Sequence, residues 1–347
     1  MGPSWGHTRG KGPNQMELHK VNYAALPLVT VAMKDVSIQP GAYCMSFGYD
    51  ETGLTRSIGK VGMINPPCLV QKDTGSFEVV TGYRRLLAAR SLGWDNILCR
   101  NLTDLEMAGL DLLLLNFYEN LSSRPFNEIE KAMVLKRFSS HVSREPLIKE
   151  YLPLLGLTPH ETNLETYLRF NDLDESMKKA LAMGKLSGAA ASLLLDQAPD
   201  PRMAMFEWIM KLRLNFNYQS QFIDILVELS CIMDLGVEDI LSMEPVTQVL
   251  LNEETNIPQK AKSLLATLRG LRNPRVAEAE HRFREQLALV HLPPGSRIIH
   301  SPFFENAFFT LEIPFKDGKE LKEKTLRISK SEGIEAIQAP WRKRRET

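Results

Sequence analysis

The run Val79-Val80-Thr81-Gly82-Tyr83-Arg84-Arg85-Leu86-Leu87-Ala88-Ala89-Arg90 sets two adjacent arginines just after a glycine. The apolar residues before Gly82 read as a short strand, and those after Arg85 as a helix. Glycine lets the backbone approach a ligand closely. Amides and arginines at the opening of a helix suit a phosphate. Downstream, Glu119-Asn120-Leu121-Ser122-Ser123-Arg124 places an acid and an amide at the end of a second apolar helix. Such a pair holds a hard cation or orients water. Together the two motifs predict a site for a nucleoside triphosphate with magnesium. Each also has a plainer meaning. Arginines at an exposed helix start are ordinarily solvated charge, and Glu119 with Asn120 closes a helix.

These residues need a small sheet to position them, and the first hundred residues alternate short strands and helices. Val36-Ser37-Ile38 is expected as a strand closed by Pro40-Gly41. Leu54, Ile58 and Val61 share one helical face, and Gly62 stops that helix. Pro66-Pro67 leads into Cys68-Leu69-Val70, Asp73-Thr74-Gly75 makes a turn, and Phe77 to Val80 returns as the hairpin partner. After the arginine helix and Gly93, Ile97-Leu98-Cys99 is a further strand.

From residue 104 to about residue 270 the periodicity is helical. Asp104 to Leu121 is expected as one helix. Asn127 and Glu130 form a capping box, which by itself accounts for both residues. Tyr151 to Leu155, Gly156 and then Thr158-Pro159-His160-Glu161, read as a second capping box, have the shape of a helix-turn-helix; a plain helical hairpin has the same shape. Towards the C-terminus, Arg297-Ile298-Ile299 and Phe308 to Pro314 read as strands, Lys319 to Lys324 as a short helix, and Thr325 to Ile328 as a strand. The expected class is α+β: a mixed-sheet domain, a helical bundle containing the helix-turn-helix, and a small α+β unit. The boundaries are an N-terminal disordered or extended segment 1–33, then 34–103, 104–272 and 273–347.

Composition narrows the function classes. At 44% apolar and 24% charged residues the 347-residue chain fits a globular protein. Its greasiest stretch, Leu110 to Tyr118, is broken by Asp111 and Asn116, so no membrane span is expected. Met1 to Asn14 is Gly-rich and polar with no hydrophobic signal core, so secretion is not expected. Cys44, Cys68, Cys99 and Cys231 lie far apart without metal-ligand spacing, which reads as reduced thiols in a cytoplasm. The zero net charge is a cancellation. Residues 1–100 balance at +4, residues 101–266 at −9 and residues 267–347 at +5. The basic cluster Arg342-Lys343-Arg344-Arg345 is either a solvated terminus or an attachment to a polyanion such as DNA.

In this order the motifs resemble the ParB family, whose N-terminal domain also resembles sulfiredoxin. Ser57-Ile58-Gly59-Lys60-Val61-Gly62, Pro66 or Pro67 and Leu69-Val70 are similar to the first helix and strand of that domain. Val80 to Ala89 looks like its Gly-x-Arg-Arg phosphate box. Glu119-Asn120 with Asn127 and Glu130 resembles its second and third nucleotide boxes. Lys185 to Leu194 looks like the helix after its DNA-reading motif. The resemblance covers roughly residues 34 to 196. It implies a CTP- and magnesium-dependent switch in which two protomers close as a clamp on DNA, acting in partition or a mobile-element process at the nucleoid, with a partition ATPase as partner. On it Ser46, Gly82, Tyr83, Arg84, Arg85, Asn120, Arg124, Asn127 and Glu130 would line the nucleotide. Asn120 would approach magnesium, and Glu119 would assist a slow CTP hydrolysis.

The chain departs from the family pattern at three places. Tyr43-Cys44-Met45-Ser46-Phe47 lacks the usual arginine, which leaves Ser46 or backbone for a phosphate contact. The arginine of the Glu-Asn box is displaced by one, to Arg124. The expected recognition helix, Thr158 to Asn171, offers Arg169 against Glu161 and Glu165, so DNA binding is expected to be weak and sequence-tolerant. Tyr83 stands where a sulfiredoxin would carry its cysteine. A phosphotransferase or phosphohydrolase on the same fold, and a scaffold without nucleotide chemistry, are the alternatives.

Overall fold

Leu-Val-Thr-Val-Ala, an apolar and β-branched run, forms the first strand, β1 (Leu28–Ala32). The computed structural model describes residues 21–338 except Glu106 and Ala307. The chain divides into two compact units after Asp196. In the first unit, β1 is followed by helix α1 (Thr52–Val61), strands β2 (Cys68–Gln71) and β3 (Phe77–Thr81), helix α2 (Tyr83–Ser91) and strand β4 (Asn96–Asn101). The sheet order is β1-β4-β2-β3. β1 with β4 and β2 with β3 are antiparallel, while β2 and β4 are parallel, so the sheet is mixed. Val31, Leu69, Val79, Leu86 and Ile97 fill its core.

The expected strand at Val36 to Ile38 is reduced to one bridge between Val36 and Phe77. Ser37 N–H still donates to Phe77 carbonyl at 2.8 Å. Beyond it Pro40 offers no donor, and residues 37–51 run as a loop instead of a strand. The edge strand is taken from Leu28–Ala32, inside the segment assigned from sequence to the N-terminal tail.

Three elements follow that position the site. Helix α3 spans Gly109–Ser123 and helix α4 spans Glu128–Phe138. The single helix expected from Asp104 does not form, because the Asn101 side chain accepts Thr103 N–H at 3.1 Å and sets a 3-10 turn there. The capping box at Asn127 and Glu130 is present with both hydrogen bonds. Beneath these helices Phe117, Phe126, Phe138 and Tyr151 pack ring to ring, with Phe138 and Tyr151 centroids 4.7 Å apart. Short helices α5 (Arg144–Pro146) and α6 (Leu152–Leu154) lead through Gly156, at φ +73°, to α7 (Glu161–Arg169). Helices α8 (Glu175–Ala182) and α9 (Gly188–Leu195) complete the unit. The expected second capping box is absent. His160 caps α7, its ring nitrogen accepting Thr162 N–H, and Thr158 lies outside the helix.

The second unit holds α10 (Pro199–Lys211), α11 (Phe216–Met233), α12 (Val237–Ser242), α13 (Glu244–Leu251), α14 (Ile257–Arg272) and α15 (Pro274–Ala288). A hairpin of β5 (Arg297–His300) and β6 (Phe309–Glu312) follows, then α16 (Gly318–Ser329). The strand expected at Thr325 to Ile328 is the end of α16. Asp317 caps that helix, Lys324 pairs with Glu320, and Thr325 Oγ1 donates to the Leu321 carbonyl at 2.8 Å, which lets a β-branched residue continue the helix. No helix among the described residues is long and apolar enough to cross a membrane.

Candidate functional site

The turn from β3 into α2 is built on Gly82, which sits at φ +84° and is the residue before the first helical turn. A Cβ there would lie 2.8 Å from Pro67 Cβ, so both conformation and space require glycine. The turn brings the start of α2, with Tyr83, Arg84 and Arg85, to the wall of a cavity of about 400 Å³. Helix α3 forms the facing wall. It is pinned by Asn116, buried at 3% exposure, whose amide donates to the Val80 carbonyl just before the turn. One turn further on, α3 delivers Glu119 and Asn120 to the same cavity.

The structure brings together most of the residues singled out in sequence. Ser46, Gly82, Tyr83, Arg84 and Arg85 line the cavity from the loop and from α2. Glu119, Asn120 and Arg124 line it from α3 and its end. Asn127 and Glu130 lie behind this lining. The Glu130 carboxylate is 1% exposed and accepts from four groups. Arg84 Nη2 at 2.6 Å and Phe47 N–H at 3.1 Å meet Oε1. Arg124 Nη1 at 2.5 Å and Asn127 N–H at 3.1 Å meet Oε2. One buried carboxylate thereby ties the 37–51 loop, α2, the end of α3 and the start of α4 together. Asn127 adds a bond from its amide to the Phe47 carbonyl at 2.8 Å.

The three arginines are not equivalent. Every nitrogen of Arg124 is engaged within the protein. Nε donates to Asn120 Oδ1 at 3.2 Å, Nη1 to Glu130 and the Pro125 carbonyl, and Nη2 to Met45 carbonyl and Ser46 Oγ at 3.4 and 3.3 Å. Arg84 lies over the Tyr49 ring, 4.0 Å from its centroid, and its buried Nε has no hydrogen-bond partner. Burial, with Arg124 beside it, holds the Arg84 guanidinium below its ordinary pKa, and Glu130 opposes that shift. Arg85 spans the cavity: Nη1 donates to the Asn65 carbonyl at 2.8 Å, and Nη2 meets the Glu119 carboxylate. Tyr83 turns its hydroxyl to the Ile38 carbonyl at 3.0 Å.

Sequence reading missed Asn65, Asn116 and Tyr49. Asn116 had a signal, as a lone amide in the apolar run of α3; the other two carried none. The cation role assigned to Asn120 meets a geometry in which its oxygen faces Arg124 and its amide donates to Asn116 Oδ1 at 2.8 Å. Among the described residues no three His, Cys, Asp or Glu side chains gather at one point.

Three of the four thiols lie in the interior, and Cys231 is exposed. Cys44, Cys68 and Cys99 are buried, and burial pushes each thiol up, Cys99 to about 11. On α7, Arg169 pairs with Asp196 at 2.6 Å, and Glu161 and Glu165 pair with Arg144 of α5. Arg342, Lys343, Arg344 and Arg345 lie outside the described residues.

Known proteins share this part of the chain. Residues 27–113 match the ParB N-terminal domain family. Nucleoid occlusion proteins of Bacillus thuringiensis (strain Al Hakam) and Bacillus anthracis are 25% identical over 201 residues, covering 56% of this chain and 66% of theirs. The chain thus spans just under two thirds of the length of these relatives. Among solved structures, the Caulobacter crescentus chromosome-partitioning protein ParB complexed with CTP-γ-S matches at 18% identity and a TM-score of 0.25, over 55% of this chain and 99% of that one. The same protein complexed to the centromeric parS site gives a TM-score of 0.30 at 18% identity, over 55% of this chain and 96% of that one. Residues 27–113 of the chain therefore form a ParB N-terminal domain.

Proposed function

We propose that the cavity between the β3–α2 turn and α3 binds a nucleoside triphosphate, with CTP the first choice, and that the chain works as a nucleotide-dependent switch in a DNA partition or nucleoid occlusion process. The observation that carries the binding reading is Arg84. Its guanidinium is held by Glu130 and Tyr49, yet a buried Nε–H has no acceptor. Buried donors are satisfied in the great majority of cases, so an orphan beside a cavity marks where a ligand acceptor belongs. Phosphate oxygens at the start of α2 would supply it, with Arg85 close by.

The residues then divide the work. Gly82 and the first amides of α2 approach the phosphates, and Arg84 and Arg85 neutralise them. Glu130, Arg124 and Asn127 hold the walls, and Ser46 closes the loop side. Magnesium, when bound with the phosphates, would draw in their charge, and Glu119 is the side chain placed to meet it. Glu119 is also the one carboxylate placed to orient an attacking water, so any hydrolysis depends on it.

The likeness to nucleoid occlusion proteins supports a DNA-linked role. A homodimer, a partition ATPase partner and a cytoplasmic, nucleoid-associated location belong to the same reading. DNA contact is proposed to be weak and sequence-tolerant, because Arg169, the α7 arginine, is paired with Asp196, and the α7 acids Glu161 and Glu165 face Arg144. It would depend on Arg342 to Arg345.

Titration of the protein with CTP, ATP, GTP and UTP, each with magnesium, tests the binding reading. Saturable binding of at least one supports it, and no heat at millimolar concentration of any of the four overturns it. Phosphate release that is equal in wild type and Glu119→Gln removes Glu119 from the catalytic role.

A further inference from the structure

The Arg85 guanidinium is the one cavity arginine bridged between a backbone carbonyl and a displaceable acid. Asn65 carbonyl takes Nη1 at 2.8 Å, and this partner cannot leave without moving the chain. Glu119 takes Nη2 from the last turns of α3, and its side chain is 38% exposed against 18% for Arg85. The two carboxylates of the site thus stand in different situations. Glu130 is 1% exposed and fixed by four donors. Glu119 is held by Arg85 and has solvent on its other side.

We propose that Glu119 is a built-in competitor for phosphate: its carboxylate holds Arg85 until a phosphate oxygen takes the same guanidinium edge. A carboxylate and a phosphate present equivalent acceptor oxygens to that edge, so both cannot have it at once. Binding then frees Glu119 in the same step that fills the Arg85 subsite. The carboxylate becomes available to a phosphate-borne cation or to water only once phosphate is present. Part of the intrinsic affinity is given up in breaking the Arg85–Glu119 pair, and ligands without a phosphate at Arg85 leave the pair closed. The proposal rests on the phosphate-binding reading of the cavity but not on which nucleoside accompanies the phosphate.

A double-mutant cycle tests it, read by calorimetric titration with two probes, CTP and pyrophosphate, each with and without magnesium; the competition is read from the magnesium-free arm, where Glu119 has no cation contact to lose. The proteins are wild type, Glu119→Gln, Arg85→Ala and the double variant, each confirmed folded by circular dichroism. Glu119→Gln keeps the side-chain shape but weakens the grip on Arg85. It is expected to raise affinity roughly two- to tenfold, the scale of a partly exposed ion pair. With Arg85→Ala the same change is expected to shift affinity less than about twofold. Unchanged or weaker binding by Glu119→Gln overturns the competition. An equal gain in the Arg85→Ala background overturns it too, since the effect is then general charge removal. Tighter pyrophosphate binding by Glu119→Gln with no CTP binding by any variant keeps the competition and rejects the nucleotide reading. No binding of either probe by any variant rejects both.

Discussion

Two arginine–carboxylate networks occupy the N-terminal unit, built from the same residue types and differing in burial. Around Glu130 the acid is 1% exposed, and its partners Arg84 and Arg124 are 23% and 18% exposed. Between α5 and α7, Arg144 and its partners Glu161 and Glu165 are 57%, 47% and 58% exposed. In the first network, removing one partner strands a charge where water cannot replace it. In the second, water and salt take over at once. The buried network can hold a cavity in one geometry, whereas the exposed one mainly cancels charge that a polyanion would need. Burial is therefore what separates a network that can hold a cavity from one that water and salt can loosen.

The largest effect expected from this contrast is at Glu130. Glu130→Ala should destabilise the first unit by about 3–5 kcal/mol, as for a broken buried pair, seen as a lower urea midpoint of its transition. A loss below about 1 kcal/mol would put the two networks on one footing. Arg85→Ala comes next. It should weaken CTP binding about ten- to a hundredfold in calorimetry, the scale of a lost charge-assisted contact of about 1.5–3 kcal/mol. Affinity unchanged by that substitution would remove Arg85 from the phosphate site. Gly82→Ala should cost about 1–3 kcal/mol in stability, because it forces a side chain into a left-handed backbone and against Pro67, and thermal melting reads it. The smallest effect is expected at Arg169. Arg169→Ala should change stability by no more than about 1 kcal/mol, since its pair with Asp196 is solvated. A larger loss would show that solvent exposure does not set what an ion pair of this unit contributes.

What the sequence disclosed follows the range of the forces involved. Gly82 between an apolar strand and a helix, and Asn127 three residues before Glu130, are signals contained in a few neighbouring positions, and the structure has both. The mixed sheet was legible except at its edge, where Val36 to Ile38 looked as strand-like as Leu28–Ala32 and pairing with β4 decided for the latter. The α7 cap and the length of α16 turned on single side-chain bonds, from His160 and around Thr325, that propensity does not weigh. Within the site, the gathering of Arg84, Arg85, Glu119 and Arg124 was anticipated from the motifs. Which acid binds which arginine was not, because those pairings cross between elements. The Phe47–Glu130 bond joins residues 83 positions apart, and the Arg85–Glu119 pair joins residues 34 apart.

The central claim is that the unpartnered edge of Arg84 faces a nucleotide phosphate. It is tested most directly by calorimetric titration of CTP with magnesium into wild type and Arg84→Gln, with the urea midpoint of each measured alongside. Saturable binding by wild type is expected, weakened at least about tenfold in Arg84→Gln, the scale of a lost charge-assisted hydrogen bond. Absence of heat from wild type at millimolar CTP, or equal affinity in folded Arg84→Gln, would contradict the account.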